Sequence, residues 1–181
     1  FEDTYYLGRR PNPLYIPRFF NITEQSPDFL RGFHFGAGAH RGRGFHLPAD
    51  TIGANYKDSL CEAGSWRTSL YAYGECLPYA DNRITLNHDK KDPWGRRMTT
   101  IDCTFRDNEK AMHNKMVAMS QEMMEACGYK DIQSNSAISA PGNANHEMGI
   151  ARMGHDPKTS VLNAFNQMHE VKNVFVTDGS C

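Results

Sequence analysis

One stretch of this chain carries the apolar spacing of a long helix, and that feature constrains the fold more than any other. Apolar positions recur at Met112, Met116, Met119, Met123 and Cys127, with Glu109, Lys110, Lys115, Gln121 and Glu125 at other positions on the helix. Spacings of three and four residues place the first set on one face of a helix over 108–127. Asp107 or Asn108 can cap its start, and Gly128 stands where a helix ends. The methionine stripe is read as a core face in preference to a soft groove for a partner. Elsewhere the short-range pattern is that of strands. Phe33-His34-Phe35, Ser69–Gly74, Arg83–Asn87, Met98–Phe105 and Val174–Thr177 are rich in β-formers or alternate polar with apolar. Helix and strands together predict an α+β fold, an antiparallel sheet of about five or six strands with helices on one face.

Between these elements the chain is irregular. Pro11, Pro13, Pro17 and Pro27 interrupt an aromatic-rich segment over 1–27, which is expected to be pinned by its rings rather than regular. The glycine run from Gly36 to Gly44 is expected to be mobile, or to let another chain come close. Asn87–Gly95 reads as a polar turn, and 41–66 resists assignment. A polar stretch of glycines, asparagines and histidines over 133–160 lacks a period. An irregular segment of that length between ordered elements is usually functional.

Composition narrows the class. Lys+Arg number 20 against 21 Asp+Glu, a net charge of −1, so the basic stripe of a nucleic-acid binder is missing. Mean hydropathy is −0.64 and the apolar runs are short, so no segment is expected to span a membrane. The five cysteines (Cys61, Cys76, Cys103, Cys127 and Cys181) include no C-x-x-C pair, which argues against a zinc knuckle or a complete disulfide framework. Cys103 and Cys127 are expected to be small buried hydrophobes. No leader is recognisable, and the compartment stays open between cytoplasm and periplasm. The chain begins at Phe1 and stops just after a strand has delivered a turn, so it reads as a fragment of a larger protein.

Several catalytic motifs fail on spacing. His146-Glu147 lacks the second histidine four positions on, where Ile150 stands; His155 is nine residues away, so no metal site is read there. The glycines over 36–44 are not followed by Gly-Lys-Ser/Thr and do not open a dinucleotide-binding helix. A Ser-His-Asp triad would lack its Gly-x-Ser-x-Gly elbow.

A longer pattern does carry information. His146-Glu147-Met148-Gly149-Ile150-Ala151-Arg152-Met153-Gly154 is followed by Ser160-Val161-Leu162-Asn163 and by Asn173-Val174-Phe175-Val176-Thr177-Asp178-Gly179-Ser180. Order and separations resemble the carboxy-terminal signature of the glucose–methanol–choline (GMC) family of FAD-dependent oxidoreductases. Pro78–Leu86, followed by Asp92-Pro93-Trp94-Gly95, is similar to that family's entry into its substrate-domain sheet. Together the matches span about 75–181, and they are most similar to bacterial sugar and sugar-acid dehydrogenases of the gluconate or glucoside type.

The resemblance implies a division into a substrate-binding domain over 1–139 and a tail over 140–181. That tail would return toward a FAD-binding domain supplied by the remainder of the polypeptide. It implies oxidation of a CH–OH group on a small-molecule alcohol, sugar or sugar acid, with hydride passing to flavin. His146 becomes the base that takes the hydroxyl proton, a task suited to imidazole because histidine as a residue type titrates near neutrality. Asp178 and Gly179 become the turn that meets the phosphate–ribityl portion of FAD, with glycine permitting close approach. A second histidine or asparagine would lie shortly beyond Ser180. The isolated chain is expected to hold FAD weakly or not at all, because the family binds most of the cofactor elsewhere. Trp66, Tyr71, Tyr73 and Trp94 could stack on a sugar or fill the core. The alternative of another class is a non-catalytic carbohydrate-binding module in which His146 has no chemical duty.

Overall fold

The structure is a computed structural model that describes residues 14–43, 52–61, 63–143 and 146–181. Two compact units emerge. The first takes the chain up to Leu77 and Asp107–Ser136; the second takes Pro78–Arg106 and Ala137–Cys181. In chain order the elements are β1 (Leu14–Ile16), β2 (Phe33–Arg43), α1 (Ala54–Cys61), β3 (Ala63–Gly74), β4 (Arg83–Lys91), β5 (Arg97–Asp102) and α2 (Asp107–Ala126). Antiparallel strands and two helices fit the expected α+β class. The described strands form two sheets of three and two, rather than one sheet of five or six.

In the first unit β2 is central, antiparallel to both β1 and β3. Alternation along β2 sends Phe33, Phe35 and Ala37 to one face, where they are buried. On that face Phe33 and Phe35 meet Met112 and Met116 of α2, with Phe29 completing the cluster and Ile16, Phe20, Met119 and Met123 packed around it. The aromatic rings adopt the offset and edge arrangements their quadrupoles favour: Phe33 and Phe35 lie 5.4 Å apart at 86°. Each buried core side chain contributes roughly 1.5–3 kcal/mol relative to exposure. Gly74 lets the helix come close, since a Cβ there would sit 2.2 Å from Met116 Cε and 2.8 Å from Met112 Cε.

The methionine stripe is therefore a core face, and its end is built as expected. Gly128 has φ +77°; its N–H donates to Glu125 O at 2.9 Å, while the Tyr129 N–H donates to Met124 O at 3.1 Å. These two bonds form a Schellman stop, which satisfies carbonyls the helix end would leave bare. Cys127 lies in that turn and is exposed, and Cys103 is only half-buried, so neither is the core hydrophobe expected. The start also differs from expectation. Asn108 is engaged elsewhere: its Oδ1 accepts the Leu30 N–H at 2.7 Å and its Nδ2 donates to Glu109 Oε1. Glu109, expected among the polar positions, is 3% exposed and accepts the Leu77 N–H at 3.1 Å.

The glycine run is strand through Arg43, paired with β3 along its length; Gly44 lies outside the described residues. The unassigned 41–66 region contains the end of β2, α1 and the start of β3. Of the aromatic-rich opening, 1–13 fall outside the described residues, and Leu14–Ile16 forms β1.

In the second unit β4 and β5 form a hairpin. β4 continues to Lys91, so the turn is confined to Asp92–Arg96 rather than spanning Asn87–Gly95. Asp92 organises it. Its Oδ1 accepts the Trp94 and Arg96 N–H groups, each at 2.9 Å, its Oδ2 accepts Arg96 Nε at 2.8 Å, and Gly95 takes φ +81°. Desolvation pushes the Asp92 carboxyl upward, but hydrogen bonds from Arg96 and Trp94 outweigh it and hold its pKa below the usual range. At the open end Asn82 extends the ladder with its side chain, accepting the Thr104 N–H at 3.0 Å and donating to Thr104 O at 3.2 Å. Val174–Thr177 does not form a strand; it makes a single bridge, Gln167 to Phe175.

Candidate active site

The second unit's carboxy-terminal portion, from His146 to Cys181, is held by turns and isolated bridges rather than by a sheet. Its centre is a crossing of two extended pieces. Gly154 donates to Leu162 O at 2.8 Å, while Val161 and Leu162 donate to Arg152 O at 2.9 and 3.1 Å; the Leu162 side chain is fully buried. A Cβ on Gly154 would lie 2.8 Å from Ser160 Cβ, so the crossing closes only over glycine. Arg152 reaches over the connecting loop to donate to Thr159 O at 3.1 Å.

That loop is tied by Asp156, whose carbonyl accepts the N–H groups of Thr159 and Ser160 at 3.0 Å each, and the Ser160 hydroxyl at 2.7 Å. With its proton given to Asp156, Ser160 Oγ can only accept from His169 Nε2, 3.0 Å away. The same nitrogen lies 3.2 Å from Gly154 O, another acceptor. The network thus assigns the proton to Nε2. His169 is a structural donor that pins the crossing, and Ser160 is no nucleophile. Asn163 shapes the next turn: its Oδ1 accepts the N–H groups of Phe165 and Gln167, and Asn166 takes φ +58°. The Arg-Met-Gly, Ser-Val and Asn positions of the motif are accordingly the parts that hold this loop in shape.

The last turn is made by Asp178. Its Oδ1 accepts both the N–H of Ser180 at 2.9 Å and the Ser180 hydroxyl. The Ser180 hydroxyl, followed by its backbone N–H, holds the Asp178 carboxyl below the usual carboxylate range. The same turn lies against the stretch that follows His146. Gly149 N–H donates to Gly179 O at 3.3 Å, and Ala151 N–H donates to Ser180 O at 2.6 Å. A Cβ on Gly179 would lie 3.1 Å from Met148 Sδ and 3.6 Å from Glu147 O. Asp178, Gly179 and the segment beginning at His146 are thus neighbours. The His146 ring is exposed and makes no hydrogen bond, ion pair or ring contact among the described residues. Met148, Gly149 and Ala151 stand within the quoted motif, but the resemblance gives them no role. Gly149, with φ +78°, was the one local signal that the chain turns there.

A family model described as GMC oxidoreductase matches residues 78–181. The chain belongs to the GMC oxidoreductase family. Among GMC relatives it is 30% identical over 182 residues to a 2-methyl-1,2-propanediol dehydrogenase of Mycolicibacterium austroafricanum, covering 97% of this chain and 32% of that protein. It is 29% identical over 136 residues to a gluconate 2-dehydrogenase flavoprotein of Pantoea cypripedii, 71% of this chain and 22% of that one. To a 6'''-hydroxyparomomycin C oxidase of Streptomyces lividus it is 33% identical over 104 residues, 57% and 18% respectively. The chain therefore spans a third or less of the length of these GMC relatives. The GMC match takes in α2 and the whole of the second unit, including every residue of the crossing and the last turn. No helix among the described residues is long and apolar enough to cross a membrane.

Proposed function

We propose that this chain is the substrate-side part of an FAD-dependent enzyme that oxidises a CH–OH group of a sugar, sugar acid or other polyol. In that reading, residues 1–139 carry the substrate-binding portion. Residues 140–181 return toward a cofactor-binding domain contributed by the rest of the polypeptide. Relatives named for a diol, for gluconate and for a paromomycin derivative support a hydroxylated substrate.

The observation that carries the proposal is the pairing of Gly149 and Ala151 with Gly179 and Ser180. It joins the segment bearing His146 to the turn bearing Asp178. His146 has an exposed ring with no protein partner among the described residues, so its ring is open to a substrate hydroxyl. As the alcohol is oxidised, that nitrogen takes the hydroxyl proton and the carbon gives up its hydrogen with the electron pair. FAD, when bound, supplies the acceptor for that hydride.

The turn fits one part of the cofactor better than another. Asp178 Oδ1 is occupied by Ser180, and its lowered pKa keeps the group anionic at neutral pH. Oδ2 can accept from a ribityl hydroxyl but would repel a phosphate. The space at Gly179 is taken by Met148 and Glu147 of the same chain, so its glycine serves the internal approach first.

The test is His146→Ala in the intact protein, followed by stopped-flow reduction of the flavin by substrate. Loss of a general base lowers that rate by about 10²–10⁴-fold, while equilibrium binding of the polyol changes little. A rate within threefold of wild type rejects His146 as the base. A protein without reducible flavin that still binds sugar is the carbohydrate-binding module.

A further inference from the structure

The tip of the β4–β5 hairpin concentrates positive charge around one exposed indole. Lys90, Lys91, Arg96 and Arg97 fall within eight residues, with Asp92 among them and Asp89 just before. The whole chain has a net charge of −1, so this is a local concentration and not a basic background. Arg96 pairs with Asp92 at 2.8 Å, whereas Lys90, Lys91 and Arg97 are exposed and form no ion pair among the described residues. Register sets Lys91 directly opposite Arg97. Like charges facing each other across a ladder are destabilising, so the hairpin itself gains nothing from that pairing. A counter-charge from outside relieves it.

The indole is held out on a stiff turn. Trp94 is 77% exposed, and the ring of Pro93 before it fixes the backbone there. The Asp92 N–H donates to Arg96 O at 2.8 Å and the Gly95 N–H donates to Asp92 O at 2.9 Å, besides the three bonds the Asp92 carboxylate accepts. Such a turn has little conformational freedom left to lose when something docks on it. The Arg96 guanidinium lies over the Trp94 ring, 5.2 Å from its centroid, and its side chain stays 73% exposed. Arg96 commits Nε to Asp92, which leaves its two terminal amino groups for another acceptor.

We propose that this hairpin tip docks on an acidic protein surface, with Trp94 entering an apolar or aromatic pocket and carboxylates at the pocket's rim meeting Lys91, Arg96 and Arg97. Tryptophan and arginine are the residues that most often dominate protein–protein contacts, and a cationic rim speeds and orients the encounter with an acidic partner. An anionic bilayer fits the same charges less well. Trp94 carries Arg96 on its face and Arg96 is joined to Asp92, so sinking the indole among acyl chains would draw an ion pair in with it. A protein pocket takes the ring and leaves the charges at its edge. The proposal is independent of the oxidoreductase reading and of His146.

Titration of the intact protein into labelled poly(Glu,Tyr), an acidic polypeptide carrying aromatic rings, and into labelled poly-Glu, followed by fluorescence anisotropy, tests it. Wild type is expected to bind poly(Glu,Tyr) more tightly than poly-Glu, and both more weakly as salt is raised. Lys91→Glu together with Arg97→Glu should weaken both by roughly tenfold or more. That exchange replaces one like-charged pair by another, so the hairpin's stability is expected to stay as it was. Trp94→Ala should weaken poly(Glu,Tyr) by about three- to tenfold and leave poly-Glu near wild type. Absence of binding by wild type at low salt overturns the proposal, as does equal affinity of wild type and the charge variant. So does a Trp94→Ala variant that loses nothing on poly(Glu,Tyr), which would reduce the tip to unspecific charge. Tighter, Trp94-dependent binding to vesicles of phosphatidylcholine with phosphatidylserine would assign the tip to a membrane instead. Acrylamide quenching that is the same in wild type and Trp94→Phe would mean that polypeptide covers the tip, and it overturns the proposal as well.

Discussion

The Ala151 N–H donates to the carbonyl of Ser180 at 2.6 Å, and with the bond from Gly149 to Gly179 it fastens the segment after His146 to the final turn. Two backbone bonds fix position without committing a side chain, so the segment that follows His146 is placed by residues further on. Met148 Sδ closes the arrangement by occupying the space a side chain at Gly179 would need.

Gly179→Ala is the probe of that placement. Its Cβ would stand 3.1 Å from Met148 Sδ, tighter than ordinary contact, so Met148 and the chain before it must shift by a few tenths of an ångström. Small misplacement of a reacting group is costly to rate, so flavin reduction in the intact protein should fall by about tenfold or more. Stability at this exposed turn should change by less than about 1 kcal/mol. Pairing it with Met148→Ala relieves the contact and should recover most of the rate. Equal rates in Gly179→Ala and wild type would show that the pairing does not position His146.

Asp178 supplies a pH prediction. Its folded pKa is depressed, so the turn it forms is favoured above the ordinary carboxyl pKa and is lost as pH falls through the lower folded value. The Ser180 amide resonance should titrate with a midpoint below 3.8, the ordinary value for aspartate. Asp178→Asn should abolish that transition. A midpoint at or above 3.8 would mean that the two Ser180 bonds do not form in solution.

The crossing at Gly154 predicts a stability effect instead. An added Cβ would lie 2.8 Å from Ser160 Cβ and 2.9 Å from its Oγ, atoms held by Asp156 and His169 and unable to swing away. Gly154→Ala should therefore cost about 1–3 kcal/mol by overpacking, read as a lower denaturation midpoint. Ser160→Ala removes the hydroxyl at the junction and should cost about 1 kcal/mol. Because His169 loses one acceptor and keeps Gly154 O, the two changes should not add.

What the sequence made legible was local. The methionine face and the Gly128 stop depend on residues within one helix, and both stand in the structure. The glycine run of β2 gave no local sign of strand, because glycine has little β preference; it is strand because β3, far along the sequence, supplies its partners. For the same reason the four exposed aromatics could not be placed by reading residue by residue. Register puts Tyr71 and Tyr73 on the face opposite the core, aligns Trp66 with the core-side row, and leaves Trp94 in the β4–β5 turn, while Tyr15 and His34 join the tyrosines. The carboxy-terminal segment was readable only by resemblance. Its order comes from single bridges and side-chain turns, which have no period to detect.

Glu109 shows how a charged residue becomes part of the core. It stands three residues before Met112 and seven before Met116, on the same face as the methionines; it is 3% exposed, and its Oε1 receives both the Leu77 N–H and Asn108 Nδ2 at 3.1 Å. The Leu77 amide belongs to the segment leaving β3, so the carboxylate satisfies a backbone donor that no sheet neighbour takes. Removing a buried acceptor leaves that donor without a partner, a loss of about 1–3 kcal/mol. Glu109→Ala should lower stability by that amount in chemical denaturation. Glu109→Gln keeps an oxygen for Leu77 and should lose clearly less. Identical losses in the two variants would show that the charge, rather than the bond to Leu77, is what this position requires.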